Sequence, residues 1–187
     1  TKGIGHTKFK KVEWYFGKEI EIPEEWESVQ IKNLSKNFIS GGTPSTENED
    51  YWNGSIPWIR RAWMTEKLIS SGERTISDKG LEKSSTNIVP KNNVIVATRV
   101  SLGNVAINKI DIAINQDLTG IILDKLKTTE DFFYWFLKNN LDELTALGQG
   151  STILGIIRND LEKFKVLLPA LPEQKQISSI LSNIDTQ

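Results

Sequence analysis

Covalent or metal-assisted chemistry needs particular side chains, and this 187-residue sequence is poor in them, with no cysteine and one histidine, His6. Disulfides, thiolate nucleophiles and cysteine-ligated zinc are excluded, and a lone imidazole cannot build a histidine cluster. His6 lies in a polar, glycine-flanked stretch (Gly3-Ile4-Gly5-His6), where a general base would lack the ordered pocket it needs. The carboxylates of Glu24-Glu25 and Glu27, and of Asp160 and Glu162 beside Lys163, read as solvated faces or helix ends rather than a nuclease metal site. Neither Gly-x-Gly-x-x-Gly, nor Gly-x-x-x-x-Gly-Lys-Ser/Thr, nor an Asn-Pro-Pro-aromatic segment occurs, so a methyl donor, a nucleotide and a flipped adenine all lack a recognisable holder. No catalytic residue, metal or cofactor is expected.

Polar side chains suited to recognition are more numerous. Trp58-Ile59-Arg60-Arg61-Ala62-Trp63 interleaves guanidinium groups with indoles. Arginine is the side chain best shaped for paired hydrogen bonds to a guanine edge or a phosphate, although an Arg–Trp stack can equally buttress a loop. Arg99, Ser101 and Asn104 follow an apolar run and so leave a sheet at its rim, with Gly103 permitting close backbone approach. Asn115 and Gln116 carry amides that can pair with adenine or cap a turn. Gly148-Gln149-Gly150-Ser151-Thr152 can bond phosphates through N–H and hydroxyl groups, or merely join two helices.

The elements that must position these residues are partly visible. Val29 and Ile31 alternate as in a half-buried strand after Pro23-Glu24-Glu25-Trp26, and Ser40-Gly41-Gly42-Thr43-Pro44-Ser45 is a loop. Val94-Ile95-Val96-Ala97-Thr98, Ile112-Ala113-Ile114, Gly120-Ile121-Ile122-Leu123 and Lys165-Val166-Leu167-Leu168 read as strands, the first fully buried. Thr128, with Asp131 three residues on, resembles a helix N-cap, and Phe133, Phe136, Leu137, Leu141, Leu144 and Leu147 recur at helical spacing until Gly148. That spacing marks Phe132-Phe133-Tyr134-Trp135-Phe136 as core rather than a stacking platform for bases or a cofactor. From Pro172, a suitable first-turn residue, Ile177, Ile180, Leu181 and Ile184 form a stripe at i, i+3, i+4 and i+7 that seeks a partner helix. The stretch through Lys18 lacks apolar periodicity and reads as a linker or arm; no internal repeat or low-complexity tract is visible.

The length suits one domain with a real core, and the composition, 38% apolar and 25% charged, is that of a soluble protein. No run approaches the roughly 20 apolar residues of a bilayer span, and Thr1-Lys2-Gly3-Ile4-Gly5-His6 has no apolar signal core, so a cytoplasmic location is expected. A net charge of −1 argues at first sight against a polyanionic partner. Charge is segregated, however: residues 58–109 hold nine basic and four acidic side chains, and residues 1–18 hold five and one, leaving nine basic and nineteen acidic elsewhere. Binding follows the local field of a face more than the total.

Taken in order, Ser40-Gly41-Gly42-Thr43-Pro44-Ser45-Thr46, Tyr51-Trp52-Asn53-Gly54 with Ile56-Pro57-Trp58-Ile59, Ala97-Thr98-Arg99-Val100-Ser101-Leu102-Gly103, Ile114-Asn115-Gln116-Asp117, Gly150-Ser151-Thr152 and Leu168-Pro169-Ala170-Leu171-Pro172-Glu173-Gln174 resemble Type I restriction–modification specificity subunits over nearly the whole chain. Gly3-Ile4-Gly5-His6-Thr7-Lys8-Phe9-Lys10 looks like the segment leaving that family's spacer helix, and Ile22-Pro23-Glu24-Glu25-Trp26 like the entry to its second recognition domain. The resemblance implies an α+β fold: a target-recognition domain with a twisted, mostly antiparallel sheet and packed helices, then the start of a long coiled-coil spacer helix. The expected division is a basic arm over residues 1–22, a DNA target-recognition domain over 23–170 and the spacer start over 171–187. Family members carry two such domains, so this chain resembles half a subunit, excised or naturally truncated. The implied partners are double-stranded DNA, a modification (methyltransferase) subunit, a restriction subunit, and a second recognition domain or second copy joined through the spacer helix. Methylation of adenine and cleavage belong to the partners, so the chain itself is expected to be non-catalytic. The reading face then comprises Arg60, Arg61, Arg99, Ser101, Asn104, Asn115 and Gln116, with Lys8, Lys10 and Lys11 as phosphate neutralisers. Two other readings stay open on the residues alone. Six tryptophans among polar loops also suit a glycan-binding module, whose affinity would barely respond to salt. A recognition fragment of a fused methyltransferase or nuclease would betray itself by methyl-donor binding or metal-dependent cleavage.

Overall fold

The computed structural model describes residues 3–99, 104–148 and 155–185. In chain order the strands and helices are β1 (Phe9–Glu13), β2 (Glu19–Pro23), β3 (Glu27–Gln30), α1 (Ile31–Leu34), β4 (Ser35–Ser40), β5 (Trp52–Ile59), β6 (Leu68–Ile69), β7 (Arg74–Ile76), α2 (Asp78–Glu82), β8 (Asn87–Val89), β9 (Asn93–Ala97), β10 (Val105–Asn108), β11 (Ile112–Ile114), β12 (Leu118–Leu123), α3 (Glu130–Asn139), α4 (Leu141–Gly148), α5 (Arg158–Lys163), β13 (Lys165–Leu168) and α6 (Leu171–Asp185).

The expected α+β class is present, but the strands divide into two principal sheets rather than one. A five-stranded sheet runs β4-β12-β9-β10-β6 and a four-stranded sheet runs β7-β5-β11-β8, with β1-β2 and β13-β3 as separate pairs. Pairing is antiparallel except for β10 with β6 and β11 with β5. The five-stranded sheet is the middle layer, and the two-residue period of its strands assigns each side chain to a face. Val94 and Val96 of β9, Ile107 of β10 and Ile121 and Leu123 of β12 join Phe132, Phe133, Leu137, Leu161 and Phe164 under the helices. Their neighbours Ile95, Ala97, Ala106 and Leu118 turn the other way and meet Ile59, Val89, Ile112 and Ile114 of the four-stranded sheet. A strand covered on both faces must bury apolar side chains or hydrogen-bonded polar ones, which is why Val94–Ala97 was readable as a continuous apolar run and why Asn93, buried with it, has its side chain hydrogen-bonded, accepting from Leu123 N at 2.9 Å. Burying a side chain such as Phe133 or Ile95, both 0% exposed, stabilises the fold by about 1.5–3 kcal/mol.

Local features refine or correct the sequence expectation. The strand read across Val29 and Ile31 stops at Gln30, and Ile31 is the buried first residue of α1. The opening segment, read as a linker or arm that folds against something else, is a hairpin from residue 9 onward: β1 and β2 pair antiparallel from Phe9↔Pro23 to Glu13↔Glu19, and Trp14 and Ile22 pack with Trp26 and Leu167. The helix expected to start at Thr128 is capped instead by Thr129, whose hydroxyl accepts from Phe132 N, while Thr128 is fully buried. It also ends at Asn139, with α4 beginning afresh at Leu141; Asn140 turns its amide back to the Phe136 carbonyl at 2.8 Å. In α6 the predicted stripe splits: Ile177 and Leu181 pack on the helical core, whereas Ile180 and Ile184 are 50% and 65% exposed.

Candidate nucleic-acid interface

Four loops leave the two main sheets at the same edge, and main-chain hydrogen bonds tie them together. The C-terminal end of β5 meets that of β11, because Asn115 N donates to the Ile59 carbonyl at 3.0 Å. The loop after β4 joins them through Gly42 N, which donates to the Ile114 carbonyl at 2.9 Å. The loop after β9 is held by Thr98 N and Arg99 N, which donate to the Asp117 carbonyl at 2.8 and 3.3 Å. Ala97 N donates to the Asn104 carbonyl at 2.8 Å, and the Asn104 amide in turn donates to the Met64 carbonyl at 2.9 Å, bringing in the turn after β5. Antiparallel pairing puts the C-terminal ends of β4 and β9 beside the N-terminal end of β12, so this convergence follows from strand order.

The loop after β4 can lie so close because it opens with two glycines. A Cβ on Gly41 would sit 2.1 Å from the Ile114 carbonyl oxygen, and one on Gly42 2.0 Å from Ser85 Oγ. Two buried indoles anchor the same loop: Trp58 Nε1 donates to the Gly42 carbonyl at 3.2 Å and Trp52 Nε1 to the Ser45 carbonyl at 3.0 Å. Arg74 stacks over the Trp52 ring at 3.7 Å, which fixes the indole from its other side.

The candidate side chains take different places on this edge. Arg99 is exposed and, among the described residues, has no ion-pair partner. Arg60 is 59% exposed but held: its Nε lies 2.8 Å and its Nη2 2.7 Å from Glu73 Oε1. The hydrogen bond that Arg60 donates to Glu73 raises the Arg60 pKa further, so the guanidinium is fixed in place and partly neutralised. Arg61 opens the short turn after β5, is half-buried and is not without a partner. Gln116 is exposed, and its carbonyl oxygen accepts from Thr43 Oγ1 at 2.6 Å. Asn115, by contrast, is 4% exposed and turned inward: its Oδ1 accepts from Asp117 N at 3.2 Å and its Nδ2 donates to Asp117 Oδ2 at 2.9 Å. Of the two meanings an amide could have there, Asn115 takes the turn-shaping one. Asn104 is half-buried and likewise bonds within the edge. Ser101 and the residues 149–152 of the Gly-Gln-Gly-Ser-Thr segment lie outside the described residues.

Lys8, Lys10 and Lys11 are exposed but belong elsewhere, on and just before β1, where Lys11 Nζ lies 3.6 Å from Glu19 across the hairpin. Two edge residues were missed in the sequence. Thr43 sits in a loop recognised only as a loop, and Trp63, 42% exposed with its Nε1 donating to the Ser71 carbonyl at 3.1 Å, stood in the Arg–Trp segment without being singled out. The Gly-Gly-Thr-Pro signature was the available signal for Thr43, since glycines that let a loop approach a strand end also bring their neighbour there.

Guanidinium, amide and hydroxyl groups thus gather on loops hydrogen-bonded to one sheet edge. Among the described residues no group of three or more histidine, aspartate or glutamate side chains is placed to hold a metal, and no helix is long and apolar enough to cross a membrane. The sequence profile of the Type I restriction modification DNA specificity domain matches residues 23–187, and the chain belongs to that family. It is 32% identical over 96% of its length to the Type I restriction enzyme MjaIX specificity subunit of Methanocaldococcus jannaschii, covering 41% of that protein. It is 30% identical over 90% of its length to the EcoR124I/EcoR124II specificity subunit of Escherichia coli, covering 42%. The crystal structure of the HsdS subunit from Thermoanaerobacter tengcongensis superposes with a TM-score of 0.71 over 96% of this chain and 40% of that one; at 17% identity this likeness is one of fold. The chain thus spans about two-fifths of the length of these relatives.

Proposed function

We propose that this chain reads one half of a bipartite DNA target for a Type I restriction–modification complex, as a non-catalytic part of its specificity subunit. Its loops enter the major groove, where every base pair shows a distinct pattern of donors and acceptors, and adenine methylation and cleavage fall to modification and restriction subunits. The observation that carries this reading is the convergence of Arg60, Arg99 and Gln116 on one hydrogen-bonded sheet edge. Arg99 and Gln116 are the base-reading candidates, with Ser101 in the same loop as Arg99. Arg60 contacts phosphate or guanine in an orientation set by Glu73. Arg61, Asn104 and Asn115 hold the loops in shape, and Lys8, Lys10 and Lys11 neutralise backbone phosphates flanking the half-site. The complex works in the cytoplasm, and α6 continues into the spacer that joins a second recognition domain or second copy.

The test begins by mapping methylated adenines in cells expressing the chain with a modification subunit, which identifies the target. Affinity for that duplex is then measured against single-substituted duplexes over a range of salt. Binding should weaken steeply as salt rises. Arg99→Ala should cost about 1–3 kcal/mol on the cognate duplex and relax preference at one base pair. A shallow salt dependence with no sequence preference would overturn the proposal.

A further inference from the structure

Lys67 belongs to the basic stretch 58–109, yet its ammonium turns toward the helices. Its main chain is fixed at the start of β6, where Ile107 N donates to the Lys67 carbonyl at 2.8 Å. Its Nζ lies 2.7 Å from Asp131 Oδ1 at the start of α3 and donates to Ser182 Oγ of α6 at 3.0 Å. The same ammonium stands 5.4 and 5.1 Å from the ring centres of Tyr134 and Trp135, and Trp135 Nε1 also donates to Ser182 Oγ, at 3.2 Å. Only 20% of the Lys67 side chain is exposed, against 59% for Arg60 seven positions earlier. One wall of the adjoining cleft is Met64 and Asn104, the pair whose hydrogen bond draws the β9–β10 loop to the turn after β5. A single side chain therefore bolts the recognition edge to both α3 and α6.

We infer that Lys67 is a positioning residue for target recognition: it fixes the turn carrying Arg60 and Arg61 relative to the terminal helix and makes no contact with DNA itself. The inference rests on the DNA-reading role proposed above. A surface lysine meeting phosphate would leave its ammonium in solvent, whereas this one already has a carboxylate, a hydroxyl and the faces of two aromatic rings around it. Removing it would free the turn to shift against α6, loosening the angle at which the arginines approach a groove without altering the charge they carry.

Lys67→Met keeps the aliphatic stem against Tyr134 and Trp135 and deletes the ammonium with its bonds to Asp131 and Ser182. Cognate and single-substituted duplexes are titrated with wild type and variant at several salt concentrations. The cognate preference of Lys67→Met should shrink roughly threefold to tenfold, with the slope of log affinity against log salt unchanged. Lys67→Arg, which can keep the ion pair and the stacking, should restore most of the preference. Asp131→Asn provides a second route should Lys67→Met fold poorly: losing the anchor should lower cognate preference even though removing a negative charge favours DNA in general. A slope reduced by about one with a uniform loss over all duplexes would identify Lys67 as a phosphate contact and overturn the inference. An unchanged preference in both variants would overturn it as well. If wild type itself shows no cognate preference, it is the DNA-reading proposal that fails.

Discussion

His6 joins carboxylates from opposite ends of the sequence. Its Nε2 lies 2.8 Å from Glu173 Oε1 and its Nδ1 3.1 Å from Glu25 Oε2, while Trp26 Nε1 donates to Glu173 Oε2 at 2.9 Å and Ile4 N to Glu173 Oε1 at 3.1 Å. The hydrogen bond to Glu173 raises the His6 pKa against the opposing pull of burial, with the charges of Glu173 and Glu25 adding to it; Lys8 is the nearby cation, acting on Glu25. A pKa raised on folding contributes stability in full below the unfolded value, about 6.5, and loses it as pH rises through the higher folded value. Residues 3–8 should therefore hold less firmly to α6 as pH climbs through that raised value, seen as faster amide exchange there together with a His6 ring titration midpoint above that of a free histidine. A midpoint at or below the free value would contradict the arrangement. The sequence placed His6 in a polar segment and gave it no chemistry; its partner, 167 positions away, is a tertiary fact that no local pattern contains.

At the scale of elements, a buried amide ties the start of α6 to the cap of α3. Gln174 is 0% exposed; its Oε1 accepts from Thr129 N at 3.0 Å, and its Nε2 donates to the Lys127 and Pro169 carbonyls, both at 2.9 Å. Gln174→Met fills the same space but strands three main-chain groups, so unfolding in urea should show a loss of at least about 1–3 kcal/mol, as a lower midpoint with unchanged slope. An unaltered midpoint would mean that water replaces the amide. The strands with continuous apolar runs, β9, β11 and β12, were legible because burial on two faces leaves no room for polar residues. The β1-β2 hairpin was not, since Phe9-Lys10-Lys11-Val12-Glu13 is solvated almost throughout, exposed but for a half-buried Val12, and is ordered by Trp14 and Ile22 beyond it. The break between α3 and α4 was hidden because leucines keep helical spacing across it, while Asn140 ends the helix by its own side-chain bond. The loop edge proposed to read DNA was visible in the sequence as residue types following strands, but not in which amides point out. Asn115 and Gln116 are adjacent, and only the turn formed with Asp117 decides that one is spent inside.

Across the whole molecule, the two main sheets approach closely where Gly120 of β12 faces Val89 of β8. A Cβ on Gly120 would lie 2.4 Å from Val89 Cγ2, tighter than packed atoms allow. Gly120→Ala should lower stability by about 1–3 kcal/mol, and adding Val89→Ala should recover part of that loss, because the double variant returns the space. Thermal melts of the single and double variants check this, and additive losses would place the strain elsewhere. The layers and the recognition edge are separable in a further respect. The bonds gathering the edge run largely between main-chain atoms, from Asn115 N, Gly42 N, Thr98 N and Arg99 N to carbonyls, and main-chain atoms are the same whatever side chain is attached. Under the DNA-reading role proposed above, positions 99 and 116 can thus be rewritten while the scaffold that aims them stays put, and a new target preference would arise by changing letters at the tip without redesigning the body beneath.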